Sequence, residues 1–339
     1  MSTYSDWLKQ PKSKNIIHNG NFDSWQRGTG PFTSAAYTAD RWSFGSTATG
    51  GGVFAVNAST SQPNYNSQYT YKITATTGQA SFTGAEYVHF LQKIEGYDFQ
   101  LIANKTVTFS FWVYATVAGT YSCFFRSSTN DYSLIKEFEI YQAATWEYKH
   151  VTFYWDASVG TYTYLTSLAA YVGFAPACGT TYATSTIGEW VSGNYIASSN
   201  QTNFGATTNN VFLVSQVQLE VGASATSFDF LSPEDQKEVI FRYYQAGSVS
   251  HLTGVGISTG NGTFYGNAVY FTKRTTPSIA ISGAQIWSPQ NGWRNATSTA
   301  STSAGAYRVL FIATDTGVAN YVHSQGLLFL CNFAISCDL

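Results

Sequence analysis

Glu137 and Glu139 stand two residues apart beside Lys136, with Arg126 upstream, and paired carboxyls are what glycoside hydrolysis requires. That chemistry needs the two carboxyls at a set separation across a cleft. A same-strand pair reaches this geometry only by accident, so the glutamates read as a solvated strand edge. The five histidines, His18, His89, His150, His251 and His323, have no cysteine or carboxylate at ligand spacing. Asn21, Asp23 and Asp40 could offer oxygens to a structural calcium ion, but no motif fixes them. GSTATGGG at 45–52 is glycine-rich, yet no helix follows to point amides at a phosphate. P-loop, GxSxG, HExxH and EF-hand patterns are absent. The chain therefore reads as a non-enzyme with no cofactor and no assigned metal.

Binding chemistry is better represented. In sugar-binding sandwiches, aromatic rings stack on pyranose C–H faces while flanking amides and hydroxyls read the sugar hydroxyls. TVTFSFWVYA at 106–115 alternates with period two. It puts Val107, Phe109, Phe111 and Val113 on one face and Trp112 and Tyr114 on the other. YKHVTFYW at 148–155 likewise sets Val151, Phe153 and Trp155 against His150, Thr152 and Tyr154. In VFLVSQVQLEV at 211–221, Val211, Leu213, Val217, Leu219 and Val221 oppose Gln216, Gln218 and Glu220. If these strands share a sheet, Trp112, Tyr114, Tyr154, Gln216 and Gln218 line one face together with His150, and the first five are the glycan-binding candidates. The alternative is that the face is covered by loop 178–210 or by a second subunit.

The elements that must hold these residues are mostly strands. Aromatics make up 17% of the chain and charged residues only 11%, a composition suited to pleated, half-buried surfaces. Further strands are expected at 53–57, 69–75, 87–94, 120–126, 134–140 and 168–174. With Gly/Ser/Thr/Asn turns between them, they predict an all-β, two-sheet jelly-roll sandwich over 15–231. The net charge of -2 gives no electrostatic case for nucleic acid or an anionic membrane as partner, and no apolar run is long enough for a membrane helix. The opening residues 1–14, with Lys9, Lys12, Lys14 and Pro11, have no signal-peptide pattern and read as an extended arm, either frayed or anchoring the chain to a larger assembly. Cys123, Cys178, Cys331 and Cys337 read as reduced thiols, with a Cys331–Cys337 bridge the less favoured alternative.

Residues 178–210 are almost uncharged and rich in Gly, Asn, Ser and Thr. They read as a long functional connection whose Trp190, Tyr195 and Phe204 pack back onto the fold. Trp190 and Tyr195 join the glycan-binding candidates, although a structural lid is the favoured role for Trp190. SPEDQKEVIFRYYQ at 232–245 reads as the helix of a connector spanning 232–246. Ser232 caps it, Pro233 takes the first position, and Glu234 and Asp235 complement the dipole. Its stripe of Val239, Ile240 and Tyr243 is the candidate oligomer interface. A second, smaller β domain follows over 247–339, with turns at GNG (260–262) and PQNG (289–292).

Taken in order, NIIHNGNFDSWQRGTG, YTADRW, TVTFSFWVYA, TWEYKHVTF, GEWVSGNYIASSNQTNF and QVQLEVGASATSFDF running into RYYQ resemble a family of bacteriophage structural proteins with a carbohydrate-binding-module-like jelly roll. The resemblance covers about 15–245, and YFTKRTTPSIAISG resembles the strand after the helix in such fibre proteins. It implies a virion component, assembled in the host bacterial cytoplasm as a homotrimer beside other virion proteins, and displayed to bind host-surface polysaccharide. A purely structural adaptor and a capsule depolymerase are the rival readings. NGNFDSWQR and DRW match the entry motif of that family. There Phe22 and Trp42 are expected to seal the base of the sandwich, with Arg27 or Arg41 bonding Asp23, Asp40 or turn carbonyls.

Overall fold

The computed structural model describes residues 13–64, 66–255, 262–269, 271–288, 292–296, 298–303, 308–315 and 326–339. Most of the arm at 1–14, and most of the expected turns at 260–262 and 289–292, lie outside the described residues. The chain divides within its connector into two compact units, Met1–Gln236 with Leu339, and Lys237–Asp338.

The first unit is a β-sandwich of jelly-roll type, the chain crossing back and forth between two antiparallel sheets. One sheet has seven strands, in the order β1 (Ala36–Tyr37), β2 (Trp42–Ser46), β5 (Tyr87–Glu95), β10 (Leu168–Cys178), β7 (Gly119–Ser127), β8 (Tyr132–Ile140) and β12 (Trp190–Ser192). The other has five, in the order β3 (Val53–Ser59), β4 (Thr70–Thr77), β14 (Val211–Val221), β6 (Thr106–Ala115) and β9 (Glu147–Tyr154). Each strand expected from alternation is present within a residue or two of its expected limits, except that β10 runs four residues past the expected 174. The inward faces meet in an aromatic core. Phe90 stacks on Tyr71 at 4.5 Å and on Phe174 at 5.0 Å, and Phe109 and Phe111 of β6 pack on Phe174 from the opposite sheet. Such pairs add about 0.5–1.5 kcal/mol each beyond the burial of the rings.

The entry corner closes one end of this core. Phe22 and Trp42 are fully buried with their rings 5.0 Å apart, and the Trp42 indole N–H donates to the Asn19 carbonyl. Arg27 pairs with the buried Asp40 at 3.6 Å, while Arg41 donates to the Lys93 carbonyl. Residues 15–20 then run beside the second half of β14. Ile16 donates to Leu219, Val217 donates to Gly20, and the Asn15 amide bonds Val217 and Leu219. Gly20 is required at this approach, because a Cβ there would sit 2.0 Å from the Val217 carbonyl oxygen.

Three expectations are corrected. The face assignment of 211–221 fails at a β-bulge between Ser215 and Gln218, with Gln216 in the left-handed region at φ 49°. An inserted residue reverses the alternation, so Phe212 and Val214 face the core before it and Val217 and Leu219 after it, leaving Leu213 on the outer face. Segment 178–210 packs back onto the fold as expected, but over the seven-stranded sheet and not over the Trp112 face. It carries β11 (Ala183–Thr184), parallel to β13 (Ala197–Ser198), and β12, which pairs with β8. It buries Leu91, Phe124, Ile135 and Ala175 on the outer face of the seven-stranded sheet beneath Ile196 and Ala197. The helix spans Pro233–Phe241, capped by Ser232, whose hydroxyl oxygen accepts from Asp235 N–H at 3.2 Å. It stops short of the expected 245 because Tyr244 and Gln245, with strong strand pairing available, join β15.

The second unit holds a four-stranded sheet of β15 (Tyr244–Val255), β21 (Gly326–Ser336), β17 (Ser278–Ser288) and β18 (Gly292–Asn295). A three-stranded sheet of β16 (Gly262–Val269), β20 (Arg308–Asp315) and β19 (Ser298–Ser303) accompanies it. All four cysteines are free thiols. No described helix is long and apolar enough to cross a membrane.

Candidate functional site

On β6 the even-numbered residues face outward, and the antiparallel register with β9 sets Trp112 directly opposite Tyr148. The two rings lie 5.5 Å apart, with Tyr148 42% exposed. Carried by two neighbouring strands and inclined at 57° to each other, they form an angled apolar platform. The next pair along, Tyr114 and Trp146, has its rings 5.7 Å apart.

Beside this platform lies a groove of about 450 Å³, lined by Asn64, Asn66, Ser110, Gln216 and residues 225–228 with Phe230 as well as by Trp112 and Tyr148. The bulge in β14 explains its floor. At Gln216 the backbone turns out of register, and its amide donates to Asn64 Oδ1 at 2.6 Å while accepting from Asn64 Nδ2 at 3.4 Å. A non-glycine residue held in the left-handed region costs of order 1 kcal/mol or more, and such outliers concentrate at binding sites. The Asn64 side of the groove is anchored from the entry corner. Asp23 accepts the backbone N–H groups of Gln68 at 2.6 Å and Tyr69 at 3.0 Å, and Asn21 Nδ2 at 2.7 Å. Burial raises the Asp23 carboxyl above its ordinary range even with these three donors. The opposite wall is the chain after β14 folding back. There Thr226 donates its N–H and hydroxyl to Glu220, and Asp229 N–H donates to Gln218 Oε1. Phe228 and Phe230, with rings 4.7 Å apart, finish that wall.

The expected site residues are only partly brought together. Trp112 and Gln216 line the groove, and Tyr114 lies on the same face one strand pair further on. Gln218 is completely buried beneath the returning segment and is removed from the binding set. Tyr154 is 52% exposed but sits at the far end of β9, opposite Thr106. Trp190 packs on Trp155 at 5.6 Å and donates its indole N–H to the Tyr154 carbonyl, closing the edge between the sheets as a lid. Tyr195 belongs to the covered outer face of the seven-stranded sheet and cannot share a ligand with Trp112. The oligomer stripe is also corrected. Ile240 and Tyr243 are each 1% exposed, leaving only Val239 partly accessible.

Asn21, Asp23 and Asp40 do not converge on one point. Asp23 is bound to Gln68, Tyr69 and Asn21, whereas Asp40 accepts from Ser24 at 2.6 Å and from Gln26 and forms an ion pair with Arg27 at 3.6 Å. Among the described residues no group of three or more His, Cys, Asp or Glu is placed to hold a metal. Glu137 accepts from Ser198 and Asn200, and neither Glu137 nor Glu139 lines the groove. Tyr148, Asn64, Asn66 and Phe228 are the lining residues that alternation alone did not bring forward. Tyr148 shares parity with His150 and Tyr154, so its outward direction was readable. The loop residues carried no such signal.

No family profile matches the chain, and no curated protein matches it. Among solved structures, the enzymatically active domain of tailspike protein 4 from bacteriophage CBA120 matches at 12% identity and a TM-score of 0.36, over 61% of this chain and 21% of that one. A provisional sugar-binding protein from Bacteroides thetaiotaomicron matches at 14% identity and 0.38, over 61% and 100%. The family 11 carbohydrate-binding module from Clostridium thermocellum, in complex with a β-1,3-1,4-mixed-linked tetrasaccharide, matches at 12% and 0.32, over 55% and 91%. At these scores the likeness adds nothing to the geometry, and the site rests on the chain's own residues.

Proposed function

We propose that this chain is a non-enzymatic component of a phage virion, displayed on the particle, whose sandwich binds a host-surface glycan in the groove over Trp112 and Tyr148. The observation that carries the binding reading is the aromatic pair itself. Two rings from adjacent strands form a platform, and amides and hydroxyls rise on either side of it. That arrangement supplies stacking for pyranose C–H faces and hydrogen bonds for hydroxyls in a concave site of ordinary ligand size. The placement on a virion is supported by the ordered run of segments from NIIHNGNFDSWQRGTG to RYYQ.

Affinity electrophoresis through host envelope polysaccharide tests the binding. The full chain is expected to be retarded, and Trp112→Ala and Tyr148→Ala to run freely with unchanged circular dichroism. Equal retardation of the Trp112→Ala variant would overturn the assignment of the site. No retardation of the parent chain would leave the groove as a contact for another protein, the structural-adaptor role. Peptides of this chain in gradient-purified particles are the corresponding test of the virion placement, and their absence would refute it.

A further inference from the structure

The chemistry of the groove restricts the kind of glycan it accepts. Among the described residues its lining is Asn64, Asn66, Ser110, Trp112, Tyr148, Gln216 and residues 225–228 with Phe230, and none of these bears a carboxylate or a cation. Glu220 is buried behind the wall and bonded to Thr226 and to Gln218 Nε2, and Asp229, between Phe228 and Phe230, accepts from the Ser13 hydroxyl and the Lys14 backbone N–H. Lys14 is held against Thr226, the Ser227 carbonyl and Glu220, and His150, opposite Ser110 on β9, shares the outer face but is not part of the lining. A carboxylate, phosphate or sulfate entering here would give up water without meeting a charged side chain in the lining.

The polar groups that are present suit hydroxyls. Gln216 and Asn64 bond each other through one donor and one acceptor on each side. A primary amide has two N–H groups and an oxygen with two lone pairs, so each keeps one N–H beyond that mutual pair, and Gln216 Oε1 keeps an acceptor position, while Asn64 Oδ1 takes its second bond from the Asn66 N–H at 3.3 Å. Side by side, they offer two donors and an acceptor at adjacent points, which is what neighbouring hydroxyls of a sugar ring require. The left-handed backbone at Gln216 is what brings this amide out of the strand register to the groove floor.

We infer that the groove takes an uncharged glycan, stacked on Trp112 and Tyr148 and read by the Gln216–Asn64 amide pair, and that it rejects glycans acidic at the bound residue. This inference rests on the glycan-binding reading and narrows it to a substrate class.

Matched polymers test it: galactan against polygalacturonate, mannan against polymannuronate, and glucan against polyglucuronate, each set in affinity gels with the full chain. At least one neutral polymer is expected to retard the chain about tenfold more strongly than its uronate partner. That retardation should disappear in Trp112→Ala and weaken in Asn64→Ala, which removes one amide of the pair without altering the bulge. Retardation by a uronate equal to that by its neutral partner, and lost in Trp112→Ala, would overturn the neutral preference while leaving glycan binding intact. Failure of all six polymers and of host envelope polysaccharide would overturn both readings. Retention of full binding in both Asn64→Ala and a folded Gln216→Ala would remove the amide pair from the proposal.

Discussion

His89 shows how much a single ring depends on its neighbours in this fold. It projects outward from β5 beneath the cover formed by 178–210, stacked on Tyr87 at 4.5 Å and edge-on to Phe124. Gly45 opposite it leaves the necessary room, since a Cβ there would lie 2.9 Å from Nε2. Burial pulls the imidazole down to about 3, and the positive charge of the nearby Arg126 acts in the same direction. Arg126 is itself 6% exposed, faces the rings of Phe124 and Tyr171, and is lowered to about 10 by burial. Because the folded value of His89 lies below the ordinary 6.5, the unfolded chain binds the extra proton between those limits. Its contribution is complete above about pH 6.5 and is lost as pH falls toward 3, at about 1.4 kcal/mol per unit. Urea unfolding from pH 8 to pH 4.5 should therefore show the parent chain losing stability that His89→Gln keeps. Parallel profiles would refute the buried neutral imidazole. None of this was legible in the sequence, where His89 is one of five scattered histidines. Trp112 was legible because alternation alone gives its direction. Gln218 was misread because its cover comes from residues 226–229, whose return over β14 no periodicity announces.

At the scale of elements, strands were the readable part, since period-two patterning reports directly which face meets the core. It breaks where the backbone leaves the regular ladder. Val211 and Leu213 share parity with Val217 and Leu219 in the sequence, but the bulge puts the two pairs on opposite faces. The same irregularity that spoiled the reading of β14 brings Gln216 to the groove. The sequence reading kept Trp190 among the glycan-binding candidates while favouring a lid, and the ring packs at the sandwich edge, away from the groove. β12 is only Trp190–Ser192, and its hold on the sandwich depends on the Trp190 ring against Trp155 and Phe153 and on the bond to Tyr154. Trp190→Ala should cost about 2–3 kcal/mol, somewhat less than truncation of a fully buried Trp because the ring is half-buried. Retardation by glycan should stay unchanged, as the groove lies on the outer face of the other sheet. A folded Trp190→Ala chain that lost binding would make Trp190 part of the site and not a lid.

For the molecule as a whole, the deciding fact is that the sandwich completes its core from its own segment. The two apolar clusters of the first unit are drawn entirely from residues between Ile16 and Leu219. Every residue lining the groove also lies within that unit. A segment of this length buries enough surface to be stable without help from a second core. The contacts of Gln236 with Asn19 and Asn21 make the helix useful to the entry corner, so a cut should follow Phe241 and keep Pro233–Phe241 whole. Residues 1–241 expressed alone are then expected to unfold in one cooperative thermal transition. They should be retarded by glycan as strongly as the full chain, with the same dependence on Trp112. The full chain, carrying a second unit with its own sheets, should depart from a single two-state transition in calorimetry. A fragment that is soluble and cooperative but fails to bind would place part of the site in Lys237–Asp338 and contradict the groove. A fragment that cannot fold would show that the sandwich is completed by the residues that follow it.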